Sequence, residues 1–155
     1  MNKRTICLVL TLVCALTMLA QHYNIVKNIA YTMKTDTYSA QRLKLDIYYQ
    51  EQATDLPVVV WFHGGGLTSG EKDFPYKLKE KNCVLVAVNY RLLPNVTIDQ
   101  TIDDAAEAVA WVMNHITEYG GSTKKMIVSG HSAGGYLTMM LALNKQWLER
   151  YGKDA

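Results

Sequence analysis

Leu43-Lys44-Leu45-Asp46-Ile47-Tyr48-Tyr49 alternates apolar and polar positions. That period of two predicts a half-buried strand, antiparallel or near a sheet edge. Val58 to Phe62 and Val84 to Val88 do not alternate. They are continuous β-branched and aromatic runs, the pattern of parallel strands buried on both faces. Met126-Ile127-Val128 is a third such run, so strands are expected near 58–62, 84–88 and 126–129. Ile102, Ala105, Ala106, Val109, Val112, Met113 and Ile116 share one face at helical spacing and predict a helix near 101–118. Thr97 with Gln100, or Thr101 with Asp104, has the spacing of a capping box. Asp103 and Asp104 would then lie in the first turn, where negative charge suits the helix dipole. Gly120-Gly121 stops the helix, and a short helical segment is expected near Tyr76 to Lys81. From Ala133 onward, Tyr136, Leu137, Met140, Leu141, Trp147 and Leu148 predict a helix near 134–150. Strands alternating with helices predict an α/β fold: a mostly parallel sheet, flanking helices and right-handed crossovers.

The first residues follow a different pattern. Lys3 and Arg4 precede Thr5 to Ala20, a run without a charge. A positive start followed by an apolar stretch of about 7–15 residues is the pattern of a signal peptide. A membrane span needs about 20 apolar residues, and Gln21, His22 and Asn24 dilute this run early. Residues 1–20 are therefore read as a signal peptide and residues 21–155 as the exported part, secreted or periplasmic. The alternative is an N-terminal membrane anchor. Cys7 and Cys14 lie in the run, so Cys83 is left alone after cleavage and no disulfide framework is expected.

Composition narrows the class. The chain has 155 residues, about one domain, with 49% hydrophobic and 19% charged residues. The formal net charge is +2, and Lys3 and Arg4 account for all of it. No basic face for nucleic acid follows from that balance. No Cys/His group has zinc spacing, so no metal and no cofactor is expected.

Two motifs carry chemistry. Gly130-His131-Ser132-Ala133-Gly134 follows a buried strand and opens an amphipathic helix. That context makes a nucleophile elbow, a turn so sharp that its flanking positions must be glycine. The following helix start offers free N–H groups to developing negative charge. His63-Gly64-Gly65-Gly66 ends another buried strand, and its glycines allow the backbone to approach a substrate closely. The Asp103-Asp104 pair reads as a helix-start feature, His115 as a satisfied surface histidine, Cys83 as a small buried hydrophobe and the tyrosines as packing residues. Arg91 and Asp104 are candidates for a structural ion pair.

With HGGG at 63–66, the NYRLLP segment at 89–94 and GHSAGG at 130–135, the sequence resembles the α/β-hydrolase fold. Its nearest likeness is the carboxylesterase and lipase branch related to hormone-sensitive lipase. The resemblance covers roughly Leu43 to Tyr151. It implies Ser132 as nucleophile and the backbone N–H groups of Gly64, Gly65 and Ala133 as oxyanion donors, with Gly66 a weaker candidate. It implies structural or pocket-lining roles for His63 and His131, and a small-molecule or carbohydrate ester as substrate.

The departures from that pattern matter equally. The family order is serine, then acid, then histidine. Here His22, His63, His115 and His131 all precede Ser132. On a continuous helix, Glu149 would stand about 25 Å from Ser132. The expectation is an α/β-hydrolase sheet that is incomplete after the elbow helix, without the general base and its orienting acid. Three functions compete: a serine ester hydrolase of which this is the N-terminal part, an amide or peptide hydrolase on the same scaffold, and a degenerate binding protein.

Overall fold

The computed structural model describes residues 22–154. The expected signal peptide or anchor at 1–20 lies outside the described residues. Among the described residues, five strands form one sheet in the order β1-β2-β4-β3-β5. They are β1 (Tyr23–Ala30), β2 (Lys44–Gln50), β3 (Leu56–Phe62), β4 (Val84–Val88) and β5 (Gly121–Gly130). β3 is parallel to both β4 and β5, whereas β2 is antiparallel to both β1 and β4. The sheet is therefore mixed. The continuous apolar runs supply its parallel part, and the alternating segment 43–49 supplies an antiparallel strand next to the edge.

Burial explains the division. Every residue of β4 is buried, because this strand has neighbours on both sides and side chains packed on both faces. β1 was not legible as a strand. Its alternation is broken by a bulge between Val26 and Ile29, where Asn28 takes φ 60° and its N–H donates to Asp46 Oδ1 at 2.7 Å.

The helices are α1 (Thr37–Arg42), α2 (Ile98–His115), α3 (Ala133–Leu143) and α4 (Gln146–Glu149). Asp36 caps α1 by accepting from the Ser39 N–H at 2.9 Å. Thr97 and Gln100 form the capping box of α2, with reciprocal bonds of 2.9 and 3.3 Å. The helix thus begins one turn earlier than the hydrophobic face suggests. Asp103 and Asp104 stand beyond its first turn, whose acidic residue is Asp99. Ile102, Ala105, Ala106, Val109 and Val112 are buried in the main core. A 3-10 turn (Ile116–Tyr119) and Gly120, at φ 77°, end the segment. The short helix expected near 76–81 is a 3-10 turn, Tyr76–Leu78.

The helix expected over 134–150 is two helices. α3 stops at Leu143, and Asn144 is extended at φ −132° and ψ 97°. Its side-chain oxygen accepts from the Gln146 N–H at 3.1 Å, a local bond that competes with helix continuation. The break turns Trp147 and Leu148 into the core. The separation inferred for Glu149 along one straight helix therefore does not apply.

One ion pair ties the layers together. Arg91, leaving β4, donates from Nε to Asp104 Oδ2 at 2.8 Å and from Nη2 to Oδ1 at 2.7 Å. The Asp104 side chain on α2 is fully buried. Burial pushes the Asp104 carboxyl above the usual range, against the pull of the guanidinium. Arg91 Nη1 also reaches Ser39 Oγ on α1 at 3.4 Å, and Thr101 Oγ1 donates to the Arg91 carbonyl at 3.0 Å.

Among the described residues β5 pairs only with β3, so its outer edge is open. Ile127 on that strand is 56% exposed. On α3, Tyr136, Met139 and Leu143 are exposed as well. A groove of about 480 Å³, lined in part by Val109, Met126, Val128, Leu141 and Leu148, lies beside this edge.

Two outcomes follow from the pair and from the edge. Asp104→Ala leaves a buried guanidinium without its carboxylate and should cost about 3–5 kcal/mol in urea unfolding. A loss below about 1 kcal/mol would mean that Arg91 finds another partner. The open apolar edge should make the 155-residue chain self-associate when expressed alone. Ile127→Lys should shift light scattering toward monomer, and a monodisperse wild-type monomer would contradict the expectation.

Candidate active site

β3 and β5 end side by side. Phe62 and Gly130 are the last register pair, and the His131 N–H donates to the Phe62 carbonyl at 3.1 Å. Beyond that rung both chains turn. β3 runs into His63-Gly64-Gly65-Gly66, and β5 runs through His131 and Ser132 into α3. Ser132 sits at the strand-to-helix turn with φ 52° and ψ −113°, a conformation few residues with a side chain adopt.

Missing side chains make the turn possible. A Cβ on Gly134 would lie 2.0 Å from the Phe62 carbonyl oxygen, and one on Gly130 would lie 2.4 Å from the Gly134 carbonyl carbon. No residue but glycine lets α3 approach the strand ends this closely. Ser132 is thereby left exposed at the tip, at the start of α3. The Ser132 carbonyl accepts from the Tyr136 N–H at 3.1 Å, which leaves the Ala133 N–H among the free donors of the helix start.

The HGGG loop meets this tip. A Cβ on Gly64 would stand 3.5 Å from Ser132 Cβ and 2.8 Å from His131 Nδ1. Gly65 and Gly66 follow at φ 119° and 62°. The Gly65 carbonyl accepts from the N–H groups of Thr68 and Ser69 at 3.1 and 3.0 Å, which closes the loop. Among the described residues, no backbone hydrogen bond outside the helices and strands uses the N–H of Gly64, Gly65 or Gly66. The fold thus brings Ser132, Gly64 and Ala133 to one point, with Gly65 and Gly66 next in line.

The histidines are placed elsewhere or turned to other partners. His63 is buried, and its ring stacks on Tyr90 with centroids 4.4 Å apart. Its Nδ1 donates to the Gly64 carbonyl at 2.6 Å. Since a carbonyl only accepts, Nδ1 carries the proton and Nε2 keeps its lone pair toward Arg42 Nη2, 3.4 Å away. Burial pushes the His63 ring below its usual range, and the Arg42 charge lowers it further. His115 stacks on Trp111 and bonds the Trp111 carbonyl at 2.8 Å, while His22 pairs with Glu51. His131 is exposed beside Ser132. Among the described residues, no side chain hydrogen-bonds to the Ser132 hydroxyl.

Sequence reasoning missed the residues behind the loop. Arg42 and Tyr90 hydrogen-bond to His63, and Glu71 accepts in turn from Arg42 and Asn89. Tyr90 was visible only as part of the NYRLLP segment, and no spacing singled out Arg42 or Glu71. Among the described residues, no group of three or more His, Cys, Asp or Glu is placed to hold a metal ion.

The model of the BD-FAE family matches residues 45–153, which include both glycine motifs and Ser132. The chain belongs to the BD-FAE family. Curated relatives of this BD-FAE chain are carboxylic ester hydrolases. A probable isoprenylcysteine alpha-carbonyl methylesterase of Oryza sativa subsp. japonica is 31% identical over 119 residues, 74% of this chain and 28% of that protein. The carboxylesterase NlhH of Mycobacterium tuberculosis is 35% identical over 102 residues, 62% of this chain and 32% of that protein. The BD-FAE chain thus spans about a quarter to a third of the length of these relatives. Among solved structures, an inhibited esterase B from Lactobacillus rhamnosis aligns with 97% of this chain and 52% of its own, at a TM-score of 0.70 and 19% identity. At that identity the likeness establishes the fold.

Burial of His63 has a measurable sign. Its folded value lies below that of the unfolded chain, so the unfolded state takes up the proton first. Stability should fall as pH drops below about 6.5, by at most about 1.4 kcal/mol per pH unit from this ring, and level off below the folded value. Urea unfolding between pH 7 and pH 5 should show a shallower decline in His63→Asn. Equal slopes would mean that His63 is as readily protonated folded as unfolded.

Proposed function

We propose that residues 21–155 are the N-terminal part of a serine hydrolase of carboxylic esters, with Ser132 as nucleophile. The observation that carries this reading is the strained exposed Ser132 at the β5–α3 turn with the glycine loop packed against it. Ser132 Oγ attacks the ester carbonyl carbon while a base takes its proton. The developing oxyanion is held by the N–H groups of Gly64, Gly65 and Ala133, and collapse of the intermediate expels the alcohol. Water then releases the acid from the acyl-enzyme. The base and its orienting acid come from sequence outside residues 1–155. Two observations support that assignment: no histidine bonds to Ser132 among the described residues, and β5 has an open edge where a sheet can continue.

Carbohydrate-borne esters are the favoured substrates within this class. Supporting that choice, a structure described as a truncated carbohydrate esterase from gut microbiota aligns with 74% of this chain at a TM-score of 0.65. The positive start and apolar run of residues 1–20 support export.

A nitrophenyl ester assay tests the reading on two proteins. Residues 21–155 alone should turn over at little more than the background rate, whereas the full reading frame that contains them should be active. Ser132→Ala in the full protein should reduce kcat by about 10³-fold or more. Serine-dependent turnover by residues 21–155 alone would place a base inside the chain, and the exposed His131 would be the first suspect. Turnover that survives Ser132→Ala would overturn the assignment of the nucleophile.

A further inference from the structure

The three peptide planes of the glycine loop are fixed by their carbonyls. The His63 carbonyl accepts from the Tyr90 hydroxyl at 2.7 Å. The Gly64 carbonyl accepts from His63 Nδ1 at 2.6 Å. The Gly65 carbonyl accepts from the Thr68 and Ser69 N–H groups, and from their hydroxyls at 3.2 and 3.1 Å. The only cis peptide bond among the described residues is Leu93-Pro94, so these three are trans. In a trans peptide the C=O and the following N–H point in opposite directions across a rigid plane. Holding the carbonyls of His63, Gly64 and Gly65 therefore aims the N–H groups of Gly64, Gly65 and Gly66 away from those partners.

Behind the loop stands Arg42, the last residue of α1, with its side chain only 14% exposed. Nε donates to the Tyr90 carbonyl at 3.2 Å and Nη1 to Glu71 Oε2 at 2.8 Å. Nη2 donates to the Gly70 carbonyl at 3.2 Å and faces His63 Nε2 at 3.4 Å. One planar guanidinium thus joins both ends of the loop, the His63 ring and the exit of β4. A lysine cannot span these acceptors. Gly70 has no room for a side chain, since a Cβ there would lie 2.3 Å from the Gly64 carbonyl oxygen.

We propose that Arg42 and Tyr90 are positioning residues for the oxyanion donors. Arg42 holds the His63 ring and the far end of the loop. His63 and Tyr90 hold the carbonyls whose peptide planes aim the N–H groups of Gly65 and Gly64. This inference rests on the reading of Ser132 as nucleophile. It concerns the transition state alone, because the donors meet full negative charge only when the carbonyl becomes tetrahedral.

The test uses the full reading frame containing residues 1–155, with Arg42→Met, Arg42→Lys, Tyr90→Phe and Ser132→Ala. Losing an oxyanion donor outright costs about 10²–10³ in kcat, so misaiming donors should lower kcat by about tenfold or more. KM should stay within about twofold, because ground-state binding does not use the aimed N–H groups. Arg42→Lys should not restore kcat. Tyr90→Phe removes a single oxygen and keeps the test alive if Arg42→Met fails to fold. Crystal structures of Arg42→Met and Tyr90→Phe should show the 64–65 and 63–64 peptides rotated, a readout that needs no turnover. Unrotated peptides, or wild-type kcat in both variants beside an inactive Ser132→Ala, would overturn the positioning role and leave the nucleophile standing. Turnover that persists in Ser132→Ala would instead remove the reading on which it rests.

Discussion

The bond from the His131 N–H to the Phe62 carbonyl closes the β3–β5 ladder at 3.1 Å, and the site depends on it. Two adjacent parallel strands end at the same level, so the loops that leave them must share the same small space. Glycine is what lets them do so. The Phe62 oxygen that accepts from His131 is also the atom that a side chain at Gly134 would strike, at 2.0 Å. The strand end, the Ser132 turn and the first turn of α3 are thus one packing problem. Its solution forces Ser132 into φ 52° and lifts its side chain clear of the backbone.

A second constraint keeps those strands in place. Arg91 leaves β4 immediately beside Tyr90, and its guanidinium is held along its Nε–Nη2 edge by the two carboxylate oxygens of Asp104 on α2. Tyr90 meanwhile bonds back to His63, and its carbonyl accepts from Arg42. Adjacent residues of one exit loop therefore serve two ends: Arg91 anchors the helix layer, and Tyr90 anchors the glycine loop. Buried polar groups of this kind are costly unless every member is partnered, and here the partners come from α1, α2 and the loop itself.

The sequence made the parallel strands, the long helix and the two glycine motifs legible, because each depends on residues close together in the chain. The run 58–62 reads as buried since consecutive Val58, Val59 and Val60 put apolar side chains on both faces of a strand. Thr97 and Gln100 declare a helix start by side-chain chemistry alone, although the apolar face suggested a later one. What was hidden depended on contacts between distant segments. β1 loses its alternation at the bulge where Asn28 bonds Asp46. Asn144 breaks an apolar stretch that reads as one helix, because its side chain serves the Gln146 N–H. Arg42 carried no signal, since its four acceptors come from segments 21 to 48 residues away.

The same distinction separates the two halves of the candidate chemistry. Stabilising a negative charge with backbone N–H groups needs only turns, and turns are written locally in glycine positions. Moving a proton needs a titratable ring brought to Ser132 by the tertiary fold. His63 is one residue from the glycine loop, yet burial and the Arg42 charge lower its affinity for a proton against the opposite pull of the Gly64 carbonyl, and its Nε2 faces Arg42. Its proton is already committed to aiming a peptide. Among the described residues, the glycine turns bring the backbone N–H groups up to Ser132, while no histidine side chain hydrogen-bonds to its hydroxyl.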